Sequence, residues 1–422
     1  MEAFTARVDP APQPPSAAAR EQEVAGLAHV ATVSFLASRA IPSIGFWVAL
    51  AGGVAIARVS ARRGLRWGYG ASIAAMLQTV ALIGPARIGV PLTQALTAPL
   101  LGALHARGAT VAWQMLVCGT IRLLQNAVTG AFVIVVLTGG FDVYVDSYDS
   151  IAGFLPLLPE GETAAIVAIL AGLVGWAVFA SVVQVLVYRR GLRAWPTGED
   201  PLHVHVEEGA DPPESHPGRF DPRAVVLSAA IAFGLLLATI SWTMLAAVAA
   251  WLVVASVTSR GDREVVPTGV LLALVLAFAV FVATMLGGLG PEEALARSAR
   301  AGLLVLVATW LRAAAGATGL REVSRRGLGR LRRLPSAPEA ALVMDDLGTG
   351  RQLGSAVRSV LAALRAVEVK PLPVLDAVLG WVAAESRRFR PGAPEPPLRL
   401  RVRTVDVALI ALTAAPAAVL FA

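Results

Sequence analysis

The chain has 422 residues, of which 56% are hydrophobic and only 15% are charged, and its formal net charge is +7. Soluble domains carry about 25% charged residues, so a composition this apolar excludes an ordinary soluble protein. The apolar residues form runs of roughly 17–25, the length that a helix needs to cross a hydrocarbon core. The sequence therefore predicts an all-α polytopic membrane protein. No nucleic-acid-binding motif accompanies the arginines, and we expect no nucleic-acid partner.

The N-terminal half is predicted to begin with a disordered tail rich in Pro and Ala, residues 1–24, followed by a six-helix membrane domain, residues 25–194. Its apolar runs lie at about 27–40, 43–57, 68–85, 88–104, 110–138 and 163–187. The first two runs are separate because Pro42 and its polar neighbours disfavour a continuous helix. The alternative is a single long first helix, which places the N-terminus on the outer side.

The charges of the loops predict how this half is oriented. The loops at 58–66, 105–107 and 188–193 are basic, whereas segment 139–162 carries acidic residues and no Lys or Arg. Short cytoplasmic loops are enriched in Lys and Arg. We therefore expect six crossings, with both ends of this half in the cytoplasm.

A polar, Pro-rich linker at residues 195–218 marks a boundary, after which the apolar pattern restarts in residues 219–422. We expect the two halves to be distinct units. The later runs lie at about 224–239, 241–257, 266–286, 299–315 and 405–422. Residues 319–403 between the last two runs are arginine-rich and amphipathic, and are predicted to form cytoplasmic helices. The total is about 11 transmembrane helices.

Three motifs follow one another in the second half. Arg219-Phe220-Asp221-Pro222-Arg223 precedes its first apolar run, a basic amphipathic segment leads into Pro338-Glu339, and Glu385-Ser386-Arg387-Arg388 is followed by a basic link and Asp406. In this order residues 219–422 resemble the transmembrane T component of energy-coupling factor (ECF) transporters, a family also represented in cobalt and biotin uptake. Each motif has a plainer explanation: a helix cap, a stretch held by anionic lipid, and a solvated helix end.

The resemblance implies that residues 319–403 contain coupling helices that contact a separate ATPase. The ATPase-coupling residues it implies are Arg387, Arg388, Glu385 and Arg351. The family usually carries two Ala-Arg-Gly motifs. Here Ser-Arg-Arg stands in place of the second, and Gly350-Arg351 lies near the place of the first without the alanine.

The first half resembles, in architecture only, a substrate-binding S component of the same transporters. The candidates for an intramembrane pathway are polar residues inside its predicted spans: Arg122, Gln125, Asn126 and Gln78, with Gln94, Gln114 and Gln184 as further members. Arg122 is the sharpest of them, because a charged residue inside a span is costly and usually functional. The alternative is that Arg122 extends to a nearby interface.

These expectations combine into one predicted function. The chain is a multi-pass subunit of an ECF-type ABC importer in the cell membrane, coupling separate ATPase subunits to uptake of a small substrate, with a further substrate-binding membrane subunit as a partner. No catalytic residue, cofactor or metal ligand is predicted. The main alternative is a non-transporting membrane scaffold or assembly protein with a T-like fold. An intramembrane transferase is a distant third, suggested only by Asp142, Asp146 and Asp149.

Overall fold

The computed structural model describes residues 17–40, 44–87, 89–155, 158–195, 219–259, 261–348, 350–368, 370–391, 398 and 400–417. Every regular element in these ranges is a helix. Most of the expected N-terminal tail and the linker from residue 196 onwards lie outside the described residues.

In the residues that the structure describes, the first half forms seven α-helices, one of them on the acidic segment. They are α1 (Ala17–Ala37), α2 (Gly45–Arg63), α3 (Leu65–Ile83), α4 (Gly89–Ala106), α5 (Val111–Ala131), α6 (Phe141–Ala152) and α7 (Glu162–Arg193). A π-helical segment, Phe132–Thr138, continues α5. The break predicted around Pro42 falls between α1 and α2. Helix α1 begins at Ala17, inside the segment predicted as a tail, in a run of alanines, the strongest helix former.

The second half forms eight helices in the residues that the structure describes. They are α8 (Pro222–Ala238), α9 (Trp242–Ser259), α10 (Val265–Leu286), α11 (Pro291–Arg330), α12 (Ala337–Asp346), α13 (Gly350–Arg365), α14 (Pro371–Arg388) and α15 (Thr404–Ala414). Gly316 interrupts α11 with φ 68° and ψ 164°, a backbone conformation that essentially only glycine adopts. The kink separates the apolar part of α11 from its arginine-rich part, close to the boundary predicted at residue 319.

Among the helices of the described residues, five are long and apolar enough to cross a membrane. They are α5 with its π-helical extension, α7, α9, α10 and α11. Large apolar side chains cover their outward surfaces, and Leu124, Val257 and Phe278 are 66%, 73% and 70% exposed. Continuous apolar surface of this kind requires lipid around it. The protein is therefore a helical membrane protein, as predicted.

The helices α1–α4 are not among those five, and other helices cover them. Nearly every residue from Val24 to Phe35 of α1 is buried. Leu96 is the one large apolar residue of the described part of α1–α4 that is counted as exposed. The first half thus has two helices, α5 and α7, with clear lipid-facing surface, and the count of about 11 spans is not established by this packing.

One hydrophobic core joins residues from both sides of the linker. It contains most of the buried apolar side chains of α1–α4 together with Val343 and Met344 of α12, Leu353 of α13, and Leu375 and Trp381 of α14. Close helix approaches hold these parts together. A Cβ atom on Gly70 of α3, for example, would lie 2.7 Å from the Glu339 side chain. The linker is a boundary in the sequence, but it does not separate the packing of the two halves.

The two ends of the molecule differ in charge, as the loop pattern predicts. Arg62 and Arg63 bind Glu23, Arg66 binds Glu339, and Arg190 binds Asp376, so the basic loops gather beside α1, α12 and α14. At the other end the acidic helix α6 packs on α10, where Ser147 and Ser150 donate hydrogen bonds to the carbonyls of Ala283 and Leu286. We call the first end the arginine-rich end.

The motif residues Asp221 and Asp406 meet in the structure. The Asp221 carboxylate caps α8 by accepting the Arg223 N–H at 2.9 Å, and it also binds the Arg223 side chain. Asp406, fully buried at the start of α15, accepts the Asp221 N–H at 2.8 Å and the Arg403 N–H at 2.7 Å. The capping role is therefore confirmed for Asp221, and Asp406 ties α15 to the start of α8.

Candidate functional sites

A buried arginine lies between α4, α5 and α7. Arg122 of α5 is only 3% exposed, and its guanidinium donates to the Gln184 side-chain oxygen of α7, from Nε at 3.2 Å and from Nη2 at 2.6 Å. Cys118, one turn earlier on α5, donates its S–H to the same oxygen at 3.2 Å. Protein therefore encloses the Arg122 side chain, which does not extend to the surface of the molecule.

Gln184 connects the arginine to α4. Its amide nitrogen donates to the Gln94 side-chain oxygen at 2.8 Å and to the Thr97 hydroxyl at 2.7 Å. The Tyr188 hydroxyl donates to the same Gln94 oxygen at 2.8 Å. We call these six buried residues, Gln94, Thr97, Cys118, Arg122, Gln184 and Tyr188, the Arg122 cluster.

Polar atoms around the Arg122 cluster remain without partners in the part of the chain that the structure describes. They are the side-chain nitrogens of Gln94 and Asn126, the side-chain oxygen of Gln125 and the Ser181 hydroxyl. No carboxylate of the described residues forms an ion pair with Arg122. A buried cation with spare amide donors nearby can hold an anion such as a carboxylate, since unpaired buried charge is costly.

The predicted pathway residues are only partly brought together. Arg122, Gln125 and Asn126 follow one another on α5, and Gln125 donates to the Thr93 hydroxyl of α4 at 3.1 Å. Gln78 lies on α3, is buried, and its side-chain oxygen has no hydrogen-bond partner among the described residues. It forms no hydrogen bond with the Arg122 cluster.

Some members of the Arg122 cluster were not predicted as site residues. Thr97, Cys118 and Tyr188 look unremarkable singly, but each stands three or four positions from a polar residue of the same helix: Gln94, Arg122 and Gln184. That spacing places both side chains on one helix face. The presence of two polar residues, three or four positions apart, on each of three apolar helices could have identified these members from the sequence.

Three of the four predicted ATPase-coupling residues lie at the end of α14. Arg387 and Arg388 are exposed in its last turn, and Glu385, two residues before Arg387, is half-buried and accepts the Phe389 N–H with its carbonyl. The Phe389 ring stacks on His29 of α1 with ring centroids 4.3 Å apart, which holds this helix end against α1. Arg351 lies in the first turn of α13, and its side chain is outside the description.

A second buried arginine was missed entirely. Arg312 of α11 donates from Nε to the Leu82 carbonyl at 2.8 Å and pairs with Asp262 at 3.3 Å. It therefore joins the end of α3 to the connection between α9 and α10. The Leu82 carbonyl and the Asp262 carboxylate compensate much of the positive charge of Arg312, so we assign this side chain a structural role.

Comparisons with known proteins identify no relative. No protein-family model, no curated protein and no solved structure matches this chain.

Proposed function

We propose that the protein is a membrane subunit of an ECF-type importer that couples a separate ABC-type ATPase to uptake of a small substrate. The proposal rests on the motif order in residues 219–422. One structural observation supports it most: the helices that the resemblance assigns to coupling, α12–α14, share a core with α1–α4. A movement imposed on these helices would pass directly to the first half.

The contact between α14 and α1 gives this coupling a specific place. A Cβ atom on Gly26 would lie 2.5 Å from the Ser386 carbonyl oxygen, next to Arg387 in the sequence. The backbones approach this closely because Gly26 has no side chain. An ATPase that binds Arg387 would therefore act on a helix end packed against α1.

The same proposal includes a topology. We place the arginine-rich end, the N-terminus and residues 319–403 in the cytoplasm, because basic segments are retained on that side of a cell membrane. The count of about 11 spans would require α1–α4 and the shorter apolar helices α8 and α15 to cross, in addition to the five long helices. Because α1–α4 share a core with α12–α14, which belong to residues 319–403, we place α1–α4 on the cytoplasmic side with them and keep fewer than 11 spans in this proposal.

Charge reversal at Arg387 tests the ATPase contact. Arg387→Glu should abolish co-purification of the ATPase in mild detergent, because a carboxylate on the ATPase would then face a like charge. Arg388→Gly, which introduces the usual residue of the family, should be tolerated. The matched control is Arg107→Glu, an equal charge change at an exposed residue of the α4–α5 connection. An ATPase complex that survives Arg387→Glu as well as it survives the control contradicts the contact.

The second candidate function is a non-transporting membrane scaffold that has kept a T-like fold. One observation favours it: α1–α4 are enclosed by protein, which leaves the first half with two clear spans where the S-like architecture needs six. A purified protein with specific partners but no ATPase among them supports the scaffold and excludes the importer.

A further inference from the structure

An open cleft of about 420 Å³ lies at the arginine-rich end. Its walls come from α1, the last turns of α2, the residue after the last turn of α7, and the end of α14. The side chains that matter for its chemistry are Glu23, Arg58, Arg62, Trp195, Arg387 and Arg390. The Arg122 cluster contributes no residue to it.

The cleft is strongly basic. Four arginines and one glutamate line it, and that glutamate, Glu23, is bound by Arg62 at 2.5 Å and by Arg63 at 2.8 Å. Burial, followed by repulsion from Arg62 and from Arg387, lowers the pKa of Arg58 to about 10, and the attraction of Glu23 offsets only part of this effect. At neutral pH Arg58 therefore stays charged in a setting that disfavours its charge, and an anion beside it would relieve that cost.

Arg58 has no carboxylate partner in the part of the chain that the structure describes. Its guanidinium carbon lies 4.3 Å from the centroid of the Trp195 ring, so its contact there is a cation–π interaction. A cation–π contact does not use the N–H groups of a guanidinium as donors to an oxygen atom. These N–H groups are the donors that bind oxyanions in bidentate fashion.

The walls of the cleft are fixed by packing. Gln22 donates to the Phe389 carbonyl at 3.4 Å, and the Phe389 ring stacks on His29. Arg390 donates from Nη1 to the carbonyls of Arg387 and Phe389 at 2.9 and 3.0 Å, which holds its guanidinium at the rim. The arginines are thus carried by helices that cannot separate without opening the core.

We propose that this cleft binds a phosphate oxyanion, in the form of a small soluble phosphate or polyphosphate. Phosphate offers several equivalent oxygens, which suits the planar guanidinium groups of Arg58 and Arg390 better than a single carboxylate does. The proposal does not depend on the importer function, because Arg58 and Arg390 are not part of the proposed ATPase contact.

A lipid headgroup carries the same phosphate chemistry, but the position of the cleft favours a free anion. The 32 residues of α7 extend about 48 Å. A bilayer including its headgroups is about 40–45 Å thick. Because Trp195 lies two residues beyond the end of α7 and the acidic residue Glu162 begins this helix, the cleft lies at or beyond the inner limit of the headgroups.

Calorimetry with inorganic pyrophosphate tests the proposal on the full chain, in nanodiscs of neutral phosphatidylcholine at low salt. We expect binding that weakens at least tenfold in both Arg58→Gln and Arg390→Gln. The control, Arg107→Gln, removes the same charge from an exposed position outside the cleft and should bind like the unaltered protein. Arg390 is exposed, so its variant keeps the test valid if Arg58→Gln fails to fold.

Two results would overturn the proposal. Equal weakening in Arg107→Gln and in the cleft variants shows that net charge alone attracts the anion. Absence of pyrophosphate binding in neutral nanodiscs, together with loss of bound phosphatidylglycerol from Arg58→Gln in anionic nanodiscs, shows that a lipid headgroup is the occupant.

Discussion

Gln184→Leu should be one of the most damaging single substitutions in the membrane helices. It removes the oxygen that accepts two hydrogen bonds from Arg122 and one from Cys118, and it leaves Arg122 charged and enclosed. Removing one partner of a buried charged group costs about 3–5 kcal/mol. We expect a loss of that size in the free energy of unfolding.

Removing the cation as well should recover much of the loss. In Arg122→Met the group left behind is the neutral Gln184 oxygen, which keeps the Cys118 donor, so the loss should stay at about 1–3 kcal/mol. The double variant Arg122→Met/Gln184→Leu should therefore be more stable than Gln184→Leu alone, because no buried charge remains. A double variant that is more stable than Gln184→Leu shows that the loss in Gln184→Leu comes from an uncompensated charge and not from lost packing.

Equilibrium unfolding of the purified protein in mixed detergent and SDS measures these free energies. The matched control is Gln114→Leu, the same substitution at a buried glutamine of α5 that makes one hydrogen bond, to the Ala109 carbonyl. It should cost about 1 kcal/mol. If Gln184→Leu costs no more than this control, or if the double variant is less stable than Gln184→Leu, then Arg122 has another acceptor and the account of the cluster is wrong.

Three further predictions concern the second half and the linker. Burial and the neighbouring Glu21 and Asp345 raise the pKa of Asp346. The folded state therefore binds this proton more readily than the unfolded state, so the contribution of Asp346 to stability falls as the pH rises through its raised pKa. Asp346→Asn should remove this pH dependence, which unfolding measured between pH 4 and pH 7 would show. Gly316→Ala should destabilise the folded protein by about 1–3 kcal/mol, because alanine disfavours the backbone conformation at the kink of α11. A melting temperature equal to that of the unaltered protein argues against the kink. Cutting a protease site inserted in the linker should leave the two halves bound in detergent because they share a core, and their separation on a sizing column refutes the shared core.

The helical class and the charge asymmetry were readable from the sequence because both depend on local composition. Runs of apolar residues predicted α5, α7, α9, α10 and α11, and their outward faces are apolar as a lipid environment requires. The cap at Asp221 was readable for the same reason, since a capping carboxylate binds the N–H of a residue two positions away.

The packing of α1–α4 was not readable, because an apolar helix enclosed by protein and one enclosed by lipid have similar sequences. The arginines of the second half gave no sign that α12–α14 would cover α1, since amphipathic helices fit a water-facing bundle equally well. Long-range contacts such as Asp221 with Asp406, or Arg312 with Leu82, depend on the tertiary arrangement alone. The Arg122 cluster is intermediate between the features that local sequence predicts and those that depend on tertiary structure. Its glutamines and Arg122 were identified one by one from the sequence, but the contacts among them depend on how three helices pack.

The importer account is tested most directly by the composition of the complex that the protein forms. The full chain, carrying an affinity tag, is purified in mild detergent from its native cells, in which it is expressed at the natural level. The mass of the intact complex is then measured by native mass spectrometry. The account predicts a mass that includes a pair of ABC-type ATPase subunits, and loss of that pair in Arg387→Glu. A complex with no ATPase subunit, from a preparation in which the protein is folded and stable, contradicts it.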